Sequence, residues 1–127
     1  MDEKSCYHSR ESLIWSDVDY KKRTVSMYTY ERDHILEGHS SPMADNFTAI
    51  YDTIVAPDSV YESGEFDNRE VFFKNSEEAT YYPKLLTKVV VEYNNTPMGS
   101  DGFVVTAFPT KKEGGNVGVR VYPESEL

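Results

Sequence analysis

The spacing of the apolar residues changes near residue 56, and this change limits the folds open to the chain. Before that point, apolar side chains recur every three or four residues, at Met43, Phe47, Ile50 and Ile54. This spacing places them on one face of a helix that we expect to begin at Ser41–Pro42. After that point, the apolar residues form short runs that are typical of β-strands. The sequence therefore predicts helices first and a sheet afterwards.

Four segments of the second half have strand character. They are residues 59–62, 69–74, 85–93 and 102–108, several of them rich in β-branched and aromatic side chains. In the longest, the odd-numbered residues from Val89 to Tyr93 share one face and Lys88 lies on the other. The loops between these segments have hairpin lengths, which favours antiparallel pairing.

The first half is expected to begin with a polar stretch over residues 1–23 and a short strand over residues 24–28. A first helix should run from Tyr30 to Glu37, with Thr29 as N-cap and Gly38 in the left-handed position that ends many helices. The predicted fold class is α+β, with two N-terminal helices packed on a mostly antiparallel sheet of about four strands. All 127 residues would form one domain, with a core over residues 24–110 and a tail over residues 111–127 that is either a loop or a weak extra strand.

Two of the three histidines lie close together, at His34 and His39. The first would lie on the predicted helix and the second just past its end. Histidine is the side chain that titrates near neutral pH when unperturbed, so such a pair can supply a general acid and a general base. Two surface histidines near a helix end are also common without any role, and this alternative stays open.

Composition narrows the classes of protein further. The formal net charge is −9, from 13 Lys and Arg against 22 Asp and Glu, which argues against a nucleic-acid substrate because nucleic-acid binders present basic surfaces. There is no apolar run of membrane-spanning length and no signal-peptide pattern, and the single cysteine cannot form an internal disulfide. We expect a cytoplasmic protein, or one delivered into a target cell, with no membrane partner.

The order of the local motifs resembles the phage-type branch of the barnase–EndoU–colicin–RelE-like nuclease superfamily. The matching segments cover most of residues 24–110 and are His34-Ile-Leu-Glu-Gly-His39, Ile50-Tyr-Asp-Thr-Ile54 with Pro57-Asp58, Arg69 to Lys74, Leu86-Thr-Lys-Val-Val-Val91, and Gly102-Phe-Val-Val-Thr-Ala-Phe108. The resemblance implies two helices on a four-stranded antiparallel sheet. It also implies a metal-independent ribonuclease, used as a toxin or phage effector against RNA and often against tRNA.

The resemblance implies cleavage by transesterification, in which a 2′-hydroxyl attacks the adjacent phosphorus. The candidate catalytic residues are His34 and His39 for acid and base, Arg69 for the phosphate and Thr106 for a hydroxyl. Thr106 is expected on the strand face opposite Phe103. Each of these residues also has an ordinary structural explanation, such as an edge ion pair for Arg69.

Substrate binding is expected to involve Lys74, Tyr82 and Lys88, two of them through charge and the tyrosine through base stacking. Acids near the histidines would permit a metal site, but a five-residue spacing does not place two ligands on one helical face. No metal and no cofactor are therefore expected. The partners would be RNA, with tRNA as one option, and a cognate inhibitor or host protein.

A different class of function stays open, namely a non-catalytic acidic binding protein of phage or mobile-element origin that engages a host protein. Local electrostatics would distinguish the two classes. Convergence of the four candidate catalytic residues, His34, His39, Arg69 and Thr106, in a cleft of positive potential favours the nuclease. Separate surfaces, or a cleft rimmed by acids, favour the binding protein.

Overall fold

A computed structural model of the chain describes residues 12–44, 46–75, 79, 85–97 and 99–123. Within these residues, the chain forms seven strands and two helices. In chain order they are β1 (Leu13–Val18), β2 (Thr24–Tyr28), α1 (Thr29–Ala44), α2 (Phe47–Val55), β3 (Ser59–Ser63), β4 (Arg69–Lys74), β5 (Leu86–Thr96), β6 (Gly99–Thr110) and β7 (Val117–Tyr122). No described helix has both the length and the hydropathy needed to cross a membrane.

The strands form one mixed sheet in the order β1-β2-β6-β5-β4-β3-β7. Strands β3 to β6 are a continuous antiparallel meander, while β2 pairs with β6 in parallel over Thr24–Ser26. After β2 the chain continues into α1, which packs along β6 and β2. The long pairing of β5 with β6, which extends from Leu86 opposite Thr110 to Thr96 opposite Gly99, is the centre of the sheet.

The prediction of two N-terminal helices on a sheet of about four strands is wrong. The sheet has seven strands, and the hairpin β1–β2 precedes the helices. Strand β1 lies in the stretch over residues 1–23 that we expected to be a polar start. Its exposed side chains Leu13, Ile14 and Val18 are apolar, and they hide the alternation of apolar and polar residues that indicates a strand. Strand β7 occupies the tail and pairs with β3.

The predicted boundary between the two helices is also wrong. Helix α1 does not end at Gly38 but continues to Ala44, and α2 begins at Phe47 after Asn46 rather than at Ser41–Pro42. A glycine in a helix interior costs only about 1 kcal/mol, so Gly38 is not an absolute stop. His39 consequently lies within α1 and not past its end.

The core lies between α2 and one face of the sheet, which we call the core face. Ile50 and Ile54 of α2 are fully buried there, and Ile35 of α1 joins them. The sheet contributes Val25, Met27, Val60, Phe72, Val89, Val91, Val104 and Ala107. The predicted alternation in β5 is confirmed, because Val89, Val91 and Tyr93 are buried on this face. The opposite face of the sheet, which we call the site face, carries the polar side chains discussed below.

Candidate functional site

His34 and Arg69 line one pocket on the site face, although they are far apart in the sequence. The pocket has a volume of about 270 Å³, and its other lining residues are Tyr30, Glu31, Glu92, Phe103 and Val105. Helix α1 supplies one wall, and β4, β5 and β6 supply the floor. The structure therefore brings together two of the four predicted catalytic residues, and we call this cavity the reaction pocket.

Arg69 is held in the reaction pocket by the strand register. It opens β4 directly opposite Glu92 of β5, and its Nε donates to Glu92 Oε1 at 3.1 Å. The guanidinium also lies over the ring of Phe66, 4.1 Å from its centroid. An arginine has four further N–H groups on its two Nη atoms, which are suited to a phosphate. The ion pair that we gave as the ordinary structural explanation for Arg69 is thus present, with Glu92 as the partner. The same ion pair holds the Arg69 side chain in the reaction pocket.

His34 lies on the side of α1 that lines the reaction pocket, together with Phe103 and Val105 of β6. Its imidazole is exposed and stacks on the ring of Tyr30, one turn earlier, with centroids 6.4 Å apart and planes 11° apart. The neighbouring helix position carries Glu31, which is buried with 6% exposure. The imidazole is therefore oriented by a ring and open to a ligand, while its surroundings include two carboxyl groups, those of Glu31 and Glu92.

A second cavity adjoins the reaction pocket and shares Glu92 and Phe103 with it. Its volume is about 310 Å³, and its remaining lining includes Ser26, Tyr28, Asn94 and Asp101. These residues come from β2, β5 and β6, and all lie on the site face. We call it the side pocket. Sequence reasoning missed it because its residues come together only through the pairing of β2 with β6.

Thr106 does not line the reaction pocket. A register shift between Val90 and Val91 of β5 leaves Val105 as an extra residue in β6, so Thr106 pairs with Val90 while Phe103 pairs with Glu92. This bulge places Thr106 on the same face as Phe103. The expectation that the two residues lie on opposite faces is wrong, because an inserted residue reverses the alternation beyond it.

Lys88 and Lys74 both donate to backbone carbonyl groups. Lys88, only 9% exposed, donates from Nζ to the carbonyl oxygens of Gly114 and Gly115, and burial lowers its pKa. Lys74 donates from Nζ to the carbonyl oxygen of Ala56, just after α2, at 2.6 Å. Neither lysine lines the reaction pocket or the side pocket. Their contacts support a structural role more directly than the predicted binding of substrate.

The structure gives less information on two further residues that the sequence predicts for the site, His39 and Tyr82. His39 lies within α1, about 1.4 turns after His34 at 3.6 residues per turn. Tyr82 lies outside the described residues. The roles proposed for both stay predictions.

A polar cluster that sequence reasoning missed lies at the turn between β1 and β2. The carboxylate of Asp19, fully shielded from solvent, accepts from the backbone N–H groups of Lys21 and Arg23 at 2.8 and 2.9 Å. It also accepts from Arg23 Nε at 2.9 Å and from the Tyr93 hydroxyl at 2.6 Å. Four donors on one carboxylate fix the turn against the end of β5.

Glu70 extends the cluster across the core face. It accepts from both Nη atoms of Arg23, at 2.8 and 3.3 Å, and from the Tyr20 hydroxyl at 2.8 Å. The Arg23 guanidinium also lies over the Tyr93 ring, 3.9 Å from its centroid. Burial, followed by the hydrogen bonds to Asp19 and Glu70, raises the pKa of Tyr93 and Tyr20 well above the usual tyrosine value. The groups of this cluster hydrogen-bond one another, and we assign it to stability.

Among the described residues, no group of three or more His, Cys, Asp or Glu side chains is arranged to hold a metal ion. The candidate site therefore consists of the reaction pocket and the side pocket, with one imidazole, one guanidinium and several carboxyl groups.

Comparisons of the chain with protein-family models, with curated proteins and with solved structures find no match in any of the three. The resemblance to the nuclease superfamily thus stays a prediction, and any function has to be argued from the two pockets.

Proposed function

We propose that the chain is a metal-independent endoribonuclease whose site is the reaction pocket. The observation that carries this proposal is the meeting of His34 and Arg69 with Glu92 in one cavity of about 270 Å³. An imidazole, a carboxylate and a guanidinium can supply the proton donor, the base and the charge stabilisation that transesterification of RNA requires. A toxin or phage effector acting on tRNA, with a cognate inhibitor, fits this activity.

In the proposed mechanism, the Glu92 carboxylate removes the proton from the 2′-hydroxyl group of the RNA. The resulting oxygen attacks the adjacent phosphorus, and Arg69 binds the negative charge that builds on the phosphate oxygens. The protonated imidazole of His34 donates its proton to the leaving 5′-oxygen. The products are a 2′,3′-cyclic phosphate end and a free 5′-hydroxyl end.

The test is incubation of the purified protein with total tRNA in EDTA, beside His34→Ala and Arg69→Ala. We expect the parent to cleave and each variant to lose about 10²- to 10⁴-fold in rate, the usual contribution of a positioned proton donor. Arg120→Ala is the matched control, because Arg120 is an exposed arginine on β7, away from both pockets. Circular dichroism spectra confirm that the variants are folded.

Two results would contradict the proposal. One is the absence of cleavage by the parent, across tRNA and ribosomal RNA. The other is cleavage by the parent that persists unchanged in both pocket variants. Cyclic phosphate ends, read by resistance to direct ligation, separate this chemistry from contaminating nucleases that leave other ends.

Acids line both pockets and Thr106 lies outside them, which is the arrangement expected of a non-catalytic acidic binding protein that engages a host protein, and this class of protein is the second candidate. Glu31 and Glu92 line the reaction pocket, and Asp101 lines the side pocket, so the surroundings of His34 are not uniformly positive. In a chain with a net charge of −9, such a surface suits a basic partner. Salt-sensitive binding of an oligo-arginine peptide, lost in Glu92→Gln, together with no RNA cleavage, would favour this candidate.

A further inference from the structure

The guanidinium group of Arg69 is held by two contacts of different kinds. Its Nε donates one hydrogen bond to Glu92 Oε1 at 3.1 Å, and a single bond leaves the group free to turn about that bond. The guanidinium carbon also lies over the ring of Phe66, 4.1 Å from the ring centroid. Because the negative face of an aromatic ring attracts a planar cation, this second contact keeps the guanidinium beside the ring. Phe66 therefore restricts the rotation that Glu92 alone permits.

Phe66 can restrict Arg69 because the loop that carries the ring, residues 64–68, is itself fixed. Ser63 Oγ accepts hydrogen bonds from the backbone N–H groups of Glu65 and Phe66, at 3.0 and 3.1 Å. The backbone N–H of Arg69 donates to the carbonyl oxygen of Phe66 at 3.3 Å, which closes the turn into β4. These bonds hold the Phe66 side chain in place although it is 44% exposed.

The same loop is attached to two neighbouring parts of the chain. The Gly64 N–H donates to the carbonyl oxygen of Asn116 at 2.7 Å, and a Cβ atom on residue 64 would lie 2.8 Å from that oxygen. Glycine is the residue that permits so close an approach of two backbones. On the other side, the Tyr93 N–H donates to the carbonyl oxygen of Asn68 at 2.8 Å. Backbone bonds therefore set the conformation of the loop, and the Phe66 ring is not needed for it.

Both contacts of Arg69 leave part of the guanidinium group for a ligand. Glu92 uses the Nε hydrogen and Phe66 covers one face, so neither contact uses the four N–H groups on the two Nη atoms. The Arg69 side chain is 26% exposed and lines the reaction pocket. Paired N–H groups match two phosphate oxygens when the guanidinium plane has the correct orientation. An oriented guanidinium also loses less freedom on binding than a mobile one, which favours affinity.

We propose that Phe66 is a positioning residue that orients Arg69 for a phosphate group in the reaction pocket. Phe66 does not line that pocket and acts through the guanidinium group. The inference rests on the proposed ribonuclease function for the source of the phosphate group. Its binding test uses inorganic phosphate and does not depend on RNA cleavage.

The experiment is an NMR titration of the protein with inorganic phosphate at pH 7 and constant ionic strength, followed at the Arg69 Nε–H signal. Phe66→Leu keeps an apolar side chain and removes the ring. We expect the dissociation constant for phosphate to rise about fivefold, the effect of one cation–π contact at a partly exposed site. Phe66→Tyr retains the ring and should bind phosphate within about twofold of the parent.

A second readout reports the ring contact itself. The ring current of Phe66 shifts the Arg69 Nε–H signal upfield, so Phe66→Leu should move this signal downfield before phosphate is added, and Phe66→Tyr should not. A side chain that only supported the loop would not separate leucine from tyrosine in this way. Val119→Ala is the control, because Val119 is an exposed apolar residue on β7 that lines neither pocket. It should match the parent in both readouts.

The outcomes separate this inference from the proposed function. A phosphate affinity that is unchanged in Phe66→Leu, or equally low in Phe66→Leu and Phe66→Tyr, would overturn the positioning role even if tRNA is cleaved. No binding of phosphate by the parent would overturn it as well. An affinity that falls in Phe66→Leu and is kept in Phe66→Tyr, without any RNA cleavage by the parent, would support the positioning role and contradict the ribonuclease.

Discussion

Asp19 is the residue on which the polar packing of this fold depends most. A carboxylate taken fully out of water is costly unless several donors satisfy it, and Asp19 accepts four hydrogen bonds, two of them from Arg23 side-chain and backbone groups. Tyr93 supplies the fourth from the middle of the sheet. The turn between β1 and β2 is therefore attached to β5 by the hydrogen bond from Tyr93 to Asp19.

Replacing Tyr93 by Phe should lower the free energy of unfolding by about 2 kcal/mol at pH 7, because it removes one hydrogen bond to a buried charge. Burial and the hydrogen bond to Asp19 raise the pKa of Tyr93 in the folded protein above the ordinary tyrosine value of about 10, so its contribution is complete below pH 10 and is lost as the pH rises further. The difference between parent and variant should therefore shrink above pH 10. Urea unfolding at several pH values measures both effects.

The control for this experiment is Tyr30→Phe. Tyr30 is 49% exposed, and the loss of its hydroxyl group should change the free energy of unfolding by less than about 0.5 kcal/mol. A Tyr93→Phe variant as stable as the parent at pH 7, or a difference that grows above pH 10, would contradict our account of the cluster.

Only part of the candidate site could be predicted from single residues of the sequence. His34 and Arg69 were predicted from residue type and position, and they do line one pocket. The alternation of β5 places Glu92 on the face opposite Val91 and Tyr93, but its pairing with Arg69 follows from a strand register that no local pattern specifies. Thr106 was misplaced because a single bulge at Val105 leaves no distinct mark in a run of β-forming residues.

At the level of elements, local composition predicted the strands whose inward side chains are apolar. Strands β4, β5 and β6 have β-branched and aromatic runs, and the predicted ranges overlap the observed ones. Strand β1 was missed because apolar side chains occupy its exposed positions, while the polar Asp17 lies on its inward side and accepts a hydrogen bond from Tyr51 of α2. A partly buried polar contact of this kind depends on the tertiary structure and leaves no periodic signal in the sequence.

The connection from β6 to β7, residues 111–116, is the element whose position depends on Lys88. It joins strands on opposite sides of the meander, and Lys88 holds it through two carbonyl groups. A further hydrogen bond runs from the Tyr61 hydroxyl to Glu113 at 2.7 Å. The buried ammonium group of Lys88 is thus an anchor for an otherwise exposed segment.

Lys88→Met should loosen this connection and expose the bonds after Lys111 and Lys112 to trypsin. Without the two hydrogen bonds, local opening becomes easier, and we expect cleavage in this segment to accelerate about tenfold at pH 8. Mass spectrometry of the fragments identifies the cleaved bond. Lys74→Met is the matched control, because it removes a lysine that donates to a carbonyl group at α2 instead. Cleavage at the parent rate in Lys88→Met would show that other contacts hold the segment.

At the level of the whole molecule, the net charge of −9 opposes the approach of RNA, whereas Arg69 attracts phosphate only locally. These two effects have different ranges. The long-range repulsion is screened by salt, with a Debye length that falls from about 30 Å at 0.01 M to about 8 Å at 0.15 M. A contact inside a pocket is screened much less.

For the proposed ribonuclease we therefore expect kcat/KM on tRNA to rise between 0.01 M and 0.15 M salt, the reverse of the behaviour of a basic nuclease. Glu65→Lys tests the cause, because Glu65 is exposed and the substitution changes the net charge from −9 to −7 by removing one negative charge and adding one positive charge. This variant should cleave faster than the parent at 0.01 M salt and respond less to added salt. The measurement is the initial rate of cleavage at a fixed EDTA concentration and pH. A kcat/KM that falls steadily with salt in both proteins would contradict this expectation, because it would mean that a local positive surface, and not the overall charge, controls the encounter with RNA.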